Sequence, residues 1–250
     1  MNTQRNVLAV LGVFLVLLAL AYFVRPTPPS IDDVWVINLD KDKERLAQFQ
    51  RDARVINQTV QRWPATYGKD VERADAEAEG IHPSLTGPEN IKDRHKTTKI
   101  VRRPGEYGCW LSHKRLLRHL ASLPVSANHG HLILEDDCEI PSDFPLRWGE
   151  VRQEVPSDWD MVFLGIHNVH GTRVSEHVLR YQHGRQGGGN WGTHGYLVRH
   201  GAIPGILQGL EYYHAPIDVQ YYQTLQNKKV YILEPTLVKQ REGVVSNIAL

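Results

Sequence analysis

Cysteine is nearly missing from this sequence: Cys109 and Cys138 are the only two among 250 residues. Their spacing fits neither a metal-ligand nor a redox motif, which excludes a disulfide-stapled scaffold and a cysteine-ligated zinc module. They pair only in an oxidising compartment; two buried free thiols are the expectation. An excess of either charge is also absent. Lys plus Arg number 29 and Asp plus Glu 28, a net charge of +1, so no global field draws the chain to nucleic acid. Internal repeats and low-complexity tracts are missing as well, which excludes a solenoid and a disordered array. What remains is an ordinary globular composition with room for one large domain.

The clearest local feature is residues 7–24, VLAVLGVFLVLLALAYFV, 18 residues without a charge or a proline. As a helix it would span about 27 Å, close to the hydrocarbon thickness of a bilayer. Arg5 and the α-amino group precede it, whereas Arg25 is followed by prolines and Asp32-Asp33. This predicts a cytoplasmic tail (1–6), a transmembrane signal anchor (7–24), a stem (25–31) and a translocated domain (32–250). Ala19-Leu20-Ala21 keeps open the alternative of a cleaved signal.

The folded region opens on VWVINL (34–39), an apolar run suited to a buried strand. Asp40 is then the expected cap of a helix bearing Leu46, Phe49 and Ala53 on one side. Residues 64–104 read as loops with short helices near 70–79. A helix follows GEYGCWLSH (105–113), carrying Leu116, Leu117 and Leu120 and stopping before Pro124. Strands are predicted at 131–135, 161–164, 195–198 and 230–233, with a helix near 201–210. The pattern is α/β, a sandwich around a mainly parallel sheet.

At the end of one of these strands, HLILEDDCEI (131–140) runs from apolar residues into Glu135, Asp136 and Asp137. Adjacent carboxylates repel and burial makes them costlier to ionise, so something cationic must hold them. In open α/β sheets ligands bind beyond the carboxyl ends of strands. Three hard oxygen donors there suit Mg²⁺ or Mn²⁺, which would bridge to a diphosphate. The bland alternative is a solvated acidic turn.

VINLD with Arg45 downstream, GEYGCWLSH, LILEDD, DWDMVFLG, GTHGYLV, PIDVQYY and PTLVKQREGVVSNI occur in an order that resembles glycosyltransferase family 25. That family includes bacterial lipooligosaccharide glycosyltransferases and procollagen galactosyltransferases. The resemblance covers roughly residues 33–248 and departs from the family pattern at Lys41, Asp42 and Lys43, where Arg45 nevertheless remains. It implies a GT-A-type Rossmann-like fold and metal-dependent transfer of a hexose, most often galactose, from a UDP-sugar with inversion. The acceptor would be a glycan, glycolipid or glycoprotein. It also implies that Glu135-Asp136-Asp137 is a variant DXD element. Asp137 is then the first metal ligand, with Glu135 or Asp136 addressing the ion or the ribose.

Around that element, Asn38, Arg45, Ser112 and His113 are candidate donor-binding residues, each with a structural alternative. Inversion requires a general base, for which Asp218 in PID is the first candidate and Asp160 in DWD the second. Lys92, Arg94, Lys96, Lys99, Arg102 and Arg103 form a basic loop that either attracts an anion or is simply solvated. QGGGNWGTH (186–194) offers a mobile loop and, in Trp191, a face for a sugar ring. The 13 histidines show no zinc motif, and His129 and His131 are expected to be surface polar residues.

Two other classes compete. A metal-dependent phosphohydrolase needs a second carboxylate–histidine set, which the sequence does not show; a non-catalytic carbohydrate-binding relative is opposed by the intact EDD. The sequon Asn57-Gln58-Thr59 is usable only in a eukaryotic secretory lumen. Both a Golgi or endoplasmic-reticulum type II protein and a bacterial inner-membrane enzyme fit the sequence.

Overall fold

A computed structural model describes residues 27–81, 104–182 and 189–244. The apolar run 7–24, the basic residues 92–103 and the glycines at 187 and 188 lie outside the described residues. Among the described residues no helix is long and apolar enough to cross a membrane.

In chain order the elements are β1 (Asp33–Asn38), α1 (Lys43–Asp52), β2 (Val60–Pro64), α2 (Arg73–Ala78), α3 (Pro104–Ala121), β3 (Gly130–Glu135), β4 (Cys138–Glu139) and α4 (Phe144–Val151). There follow β5 (Met161–His167), β6 (Gly171–Arg173), β7 (Val178–Tyr181), β8 (Trp191–Arg199), α5 (Ile203–Gly209), α6 (Ile217–Thr224), β9 (Val230–Leu233) and β10 (Lys239–Gln240). The main sheet has 8 strands in the order β2-β1-β3-β8-β5-β9-β7-β6. β8 lies antiparallel between β3 and β5, and β7 is antiparallel to both its neighbours, so the remaining strands run one way. The result is a mixed α/β, Rossmann-like sheet with most strands in one direction.

Strand periodicity sends alternate side chains to opposite faces. Val34 and Val36 of β1, Leu132 and Leu134 of β3 and Val162 and Leu164 of β5 join one cluster, which Phe49 of α1 and Phe144 and Trp148 of α4 complete. Trp35, Ile37, Ile133, Phe163 and Tyr196 point the other way, onto Trp110 and Leu117 of α3, Ile206 of α5 and Tyr221 of α6. Both faces of the sheet are therefore covered, and what stays open is its edge of strand ends.

Two local expectations change. Asp40 does not cap α1; the helix starts from Asp42 without a side-chain cap bond. The Asp40 carboxylate instead accepts from Arg62 on β2, because that strand lies parallel beside β1. His131 is no surface residue: it is fully buried, and Asp33 accepts its Nδ1 contact at 2.9 Å.

α3 carries an unusual buried cation. Lys114 Nζ donates to the carbonyls of Glu79 (2.6 Å) and Glu211 (3.1 Å) and sits 4.5 Å from the centroid of the Trp110 ring. Burial lowers its pKa to about 8, against the attraction of Glu79. The unfolded chain thus holds a proton, between about pH 8 and 10.4, that the folded chain releases. Stability from this group should rise with pH across that window and be lost as pH falls through 8. Urea unfolding at pH 8 and 10 should show a rise in wild type that is larger than in Lys114→Met.

Candidate active site

The parallel register of β1 and β3 builds the site. Ile37 lies opposite Glu135, so the next residues, Asn38 and Asp136, meet where both strands end. Asn38 Nδ2 donates to Asp136 Oδ2 at 2.6 Å and to the Asp42 carbonyl at 3.0 Å, while its side-chain oxygen accepts from Arg62 Nε at 2.9 Å. The amide is a strut under the acidic triplet and has no donor left for a ligand. Arg45, in the first turn of α1, bridges Asp136 and Asp137, its Nη2 lying 3.3 Å from Asp137 Oδ2. Part of the cation that three adjacent carboxylates demand is therefore supplied by the chain itself.

The antiparallel register of β3 and β8 brings a second group. Leu134 faces Gly195, which carries the start of β8 to Glu135, and Thr193 Oγ1 donates to Glu135 Oε1 at 2.7 Å. From α3, His113 Nε2 lies 3.4 Å from the same oxygen, while its Nδ1 is 2.9 Å from the Tyr196 hydroxyl. Ser112, one residue earlier, donates to the Gly108 carbonyl (2.7 Å) and accepts from the Thr66 amide (2.8 Å). A third arm comes from β10, whose pairing with β4 sets Gln240 against Cys138. Gln240 Nε2 donates to Asp137 Oδ2 at 2.9 Å, and the Arg241 amide donates to the Asp137 carbonyl at 2.7 Å.

The three acids are not equivalent. Burial works against the Glu135 charge, but the hydrogen bonds and positive charge of His113, with Thr193, outweigh it and hold its carboxyl below the usual range. Burial pushes Asp136 up to about 6, restrained by Asn38 and Arg45 and reinforced by its acidic neighbours. Asp137 is raised by burial and then by the Glu135 charge, which Gln240 and Arg45 oppose. Both Asp136 oxygens are engaged, whereas Asp137 Oδ1 is buried with no partner, as is Arg45 Nε. A buried carboxylate oxygen without a donor is costly unless a ligand completes it.

Arg45, Ser112, His113 and the acidic triplet line one open cleft, whose far wall runs from Ala65 through Gly68 and which holds about 640 Å³ including its mouth. A neighbouring depression bounded by Lys41, Tyr67, Asp70 and Arg115 shares that wall and widens the opening. Most of the residues singled out from sequence thus converge. Asp218, in the first turn of α6, accepts from the Gly192 amide at 3.0 Å, and Gly192 (φ +86°) precedes the Thr193 that bonds Glu135. Asp218 is not among the residues that line the cleft. Burial, and then the carboxylates of Glu135, Asp218 and Asp137, raise the Cys109 thiol, which makes Cys109 a poor nucleophile.

Asp160 is not brought to the cluster. It precedes β5 at the opposite end of the sheet, roughly 16 Å from Glu135 by strand rise. There its Oδ2 accepts from the Lys229 amide at 2.8 Å, joining β5 to β9. Conversely, Gln240 and Tyr196 belong to the site without having been singled out, and Thr193 was noted only as part of the QGGGNWGTH loop. The signal for Gln240 and Tyr196 lay in VKQREG and GTHGYLV, which name no chemistry until the strands are paired. Trp191 is 38% exposed beside that β8 start and meets Tyr222 edge-on, the ring centroids 6.2 Å apart.

The glycine inside GEYGCWLSH has a steric reason. A Cβ on Gly108 would meet the Gly68 amide nitrogen at 2.6 Å and the Thr66 carbonyl at 2.8 Å, both backbone atoms of the cleft wall. Gly149, in α4, has nothing within 4 Å. Gly108→Ala should therefore destabilise the fold by about 1–3 kcal/mol, the usual range for overpacking. Gly149→Ala should instead stabilise it by about 0.5–1 kcal/mol through helix propensity. Paired thermal melts test the contrast, and equal shifts would remove the packing argument.

A family profile described as glycosyltransferase family 25 (LPS biosynthesis protein) matches residues 31–221. Procollagen galactosyltransferase 1-B of Xenopus laevis is 27% identical over 178 residues, covering 69% of this chain and 27% of that protein. A glycosyltransferase 25 family member of Drosophila pseudoobscura pseudoobscura is 28% identical over 141 residues, covering 56% of this chain and 21% of that protein. The chain spans about a quarter of the length of these curated relatives.

Proposed function

Since the chain belongs to glycosyltransferase family 25, we propose that the cleft binds a nucleotide-sugar donor and transfers its hexose, with inversion, to a hydroxyl of a glycan, glycolipid or glycoprotein. UDP-galactose is the proposed donor, supported by the galactosyltransferase names of two relatives. The observation that carries the reading is that Asp137 Oδ1 and Arg45 Nε both lack a partner, on two residues that line the cleft at the end of a strand. One is an acceptor and the other a donor, the pair that a cation and a diphosphate together would complete.

The residues fit a divalent ion: Asp137 Oδ1 and the Glu135 carboxylate would hold Mn²⁺ or Mg²⁺, with Asp136 committed to Arg45 and Asn38. Bound there, the ion would supply positive charge against the diphosphate leaving group. The chain's own residues do the rest. Arg45 orients a phosphate, and His113 and Thr193 keep Glu135 ionised. Asp218 takes the proton from the acceptor hydroxyl as its oxygen bonds to the anomeric carbon and the bond to the diphosphate breaks. Trp191, exposed at the start of β8, gives a sugar ring an apolar face and keeps water from the same carbon.

The apolar run 7–24 supports a membrane-tethered setting with the domain on the translocated side, in a secretory lumen or at a bacterial inner membrane. Incubation with a panel of UDP-hexoses and Mn²⁺, read by mass spectrometry, tests the activity. Hexose transfer, or slow release of UDP without acceptor, is expected. Phosphate release from monoesters would indicate hydrolase chemistry, and no turnover of any donor would indicate a binding protein.

A further inference from the structure

At the other end of the sheet, remote from the cleft, Asp33, His129 and His131 point ligand atoms at one another. Asp33 Oδ2 is 3.1 Å from His129 Nε2 and 3.0 Å from His131 Nδ1, and the three groups can each offer an atom within 4.8 Å of the others. The arrangement follows from register: Asp33 opens β1 directly opposite His131 on β3, and His129 sits just before β3. Ile37 faces Glu135 four residues further along, so the group is about 13 Å from the acidic triplet.

We propose that this triad is a second, structural metal site that takes Zn²⁺ or a similar borderline transition ion. The donor chemistry is two imidazoles and one carboxylate, which suits zinc and not the hard oxygen sites of Mg²⁺ or Ca²⁺. Ligand atoms around tetrahedral zinc stand about 3.3 Å apart, from bond lengths of about 2.0–2.1 Å. The separations of 3.0 and 3.1 Å leave only a small outward movement to admit the ion.

His131 also has the support that metal-binding histidines need. Its Nε2 lies 3.2 Å from His200 Nδ1, which can accept an Nε2 proton when the ion displaces the proton that Nδ1 now shares with Asp33. His131 is fully buried while the His129 side chain is 22% exposed, so one ligand is fixed and the other can admit the ion. The fourth position would go to water. The ion would fasten the segment preceding β1, where Asp32 and Gly130 already exchange two bonds: Asp32 N to Gly130 O at 2.9 Å and Gly130 N to Asp32 Oδ2 at 2.7 Å.

A second cluster, Cys109, His113 and Glu135, also brings possible ligands together, but it lies in the donor cleft and provides the control. The whole chain is stripped with chelator, incubated with excess Zn²⁺, desalted and analysed for metal, and separately titrated with Zn²⁺ by calorimetry. One retained zinc per chain is expected, with Kd on the order of 1 μM or tighter. It should survive in Cys109→Ser and disappear in His129→Ala, whose changed side chain is partly exposed. Asp33→Asn, which keeps the shape, should lose it too and guards against misfolding of the first variant. Zinc should also raise the melting temperature of wild type and not of His129→Ala. No retained zinc in wild type, equal zinc in His129→Ala, or loss in Cys109→Ser alone would overturn the proposal.

Discussion

Replacing Asp137 by asparagine is expected to lower the rate of hexose transfer by about 10²–10³-fold or more, the scale on which single charge-stabilising groups act. The side chain is 5% exposed, with Oδ2 taken by Gln240 and Arg45 and Oδ1 left without a partner. An amide presents a neutral oxygen, or a donor, where a cation would be held. Stability should move little, or upward. Burial raises the folded-state pKa of Asp137, so its ionised form is disfavoured by the fold at neutral pH and a neutral side chain removes that cost. Arg45 keeps Asp136 as partner. Inactivity with an unchanged melting temperature is thus the expected pair of results; near-normal turnover at saturating Mn²⁺ would refute the assignment of Asp137.

Asp218→Asn is the second large effect. If it is the proton acceptor proposed above, Asp218 should account for about 10²–10⁴-fold in turnover. Its carboxylate is anchored by the Gly192 amide at 3.0 Å and by its own helix through the Val219 amide at 2.8 Å. The two amides use different carboxylate oxygens, so an asparagine, with one oxygen, keeps only one of these bonds; held through Gly192, the β8 start should keep its place and UDP affinity should barely change. A fall in kcat with KM for donor preserved is the expected split. Loss of UDP affinity in parallel would instead make Asp218 a donor ligand, and unchanged turnover would remove it from both roles.

Much of the fold was legible because burial writes directly into sequence. VWVINL and LILE have apolar residues on both alternating faces, which is what a strand covered on both sides requires, and they are β1 and β3. The short strands β2, β6 and β7 were not anticipated. VQRWP and GTR are edge segments without a fully buried residue, and their strand character comes from their neighbours.

The site divides along the same line. Glu135, Asp136 and Asp137 stand together in the sequence, so a candidate cation-binding group was visible there, while its reading as a donor-binding element came from the family resemblance. What steadies them could not. Asn38 reaches Asp136 across 98 positions and Gln240 reaches Asp137 across 103, through pairings that only the assembled sheet fixes. The same limit explains Asp160 and His131. Asp160 precedes β5 and His131 lies within β3, but sequence does not say which end of the sheet they occupy, and that end decides between chemistry and structure.

The central claim is that the acidic strand end with Arg45 is a donor-binding cleft. Calorimetric titration of UDP, with and without Mn²⁺, into wild type, Asp137→Asn and Asp160→Asn tests it most directly. The account predicts Mn²⁺-dependent UDP binding in wild type, its loss in Asp137→Asn and its retention in Asp160→Asn, whose carboxylate lies at the far end of the sheet. UDP binding of equal strength in wild type and Asp137→Asn, or none in wild type with Mn²⁺ present, would contradict it.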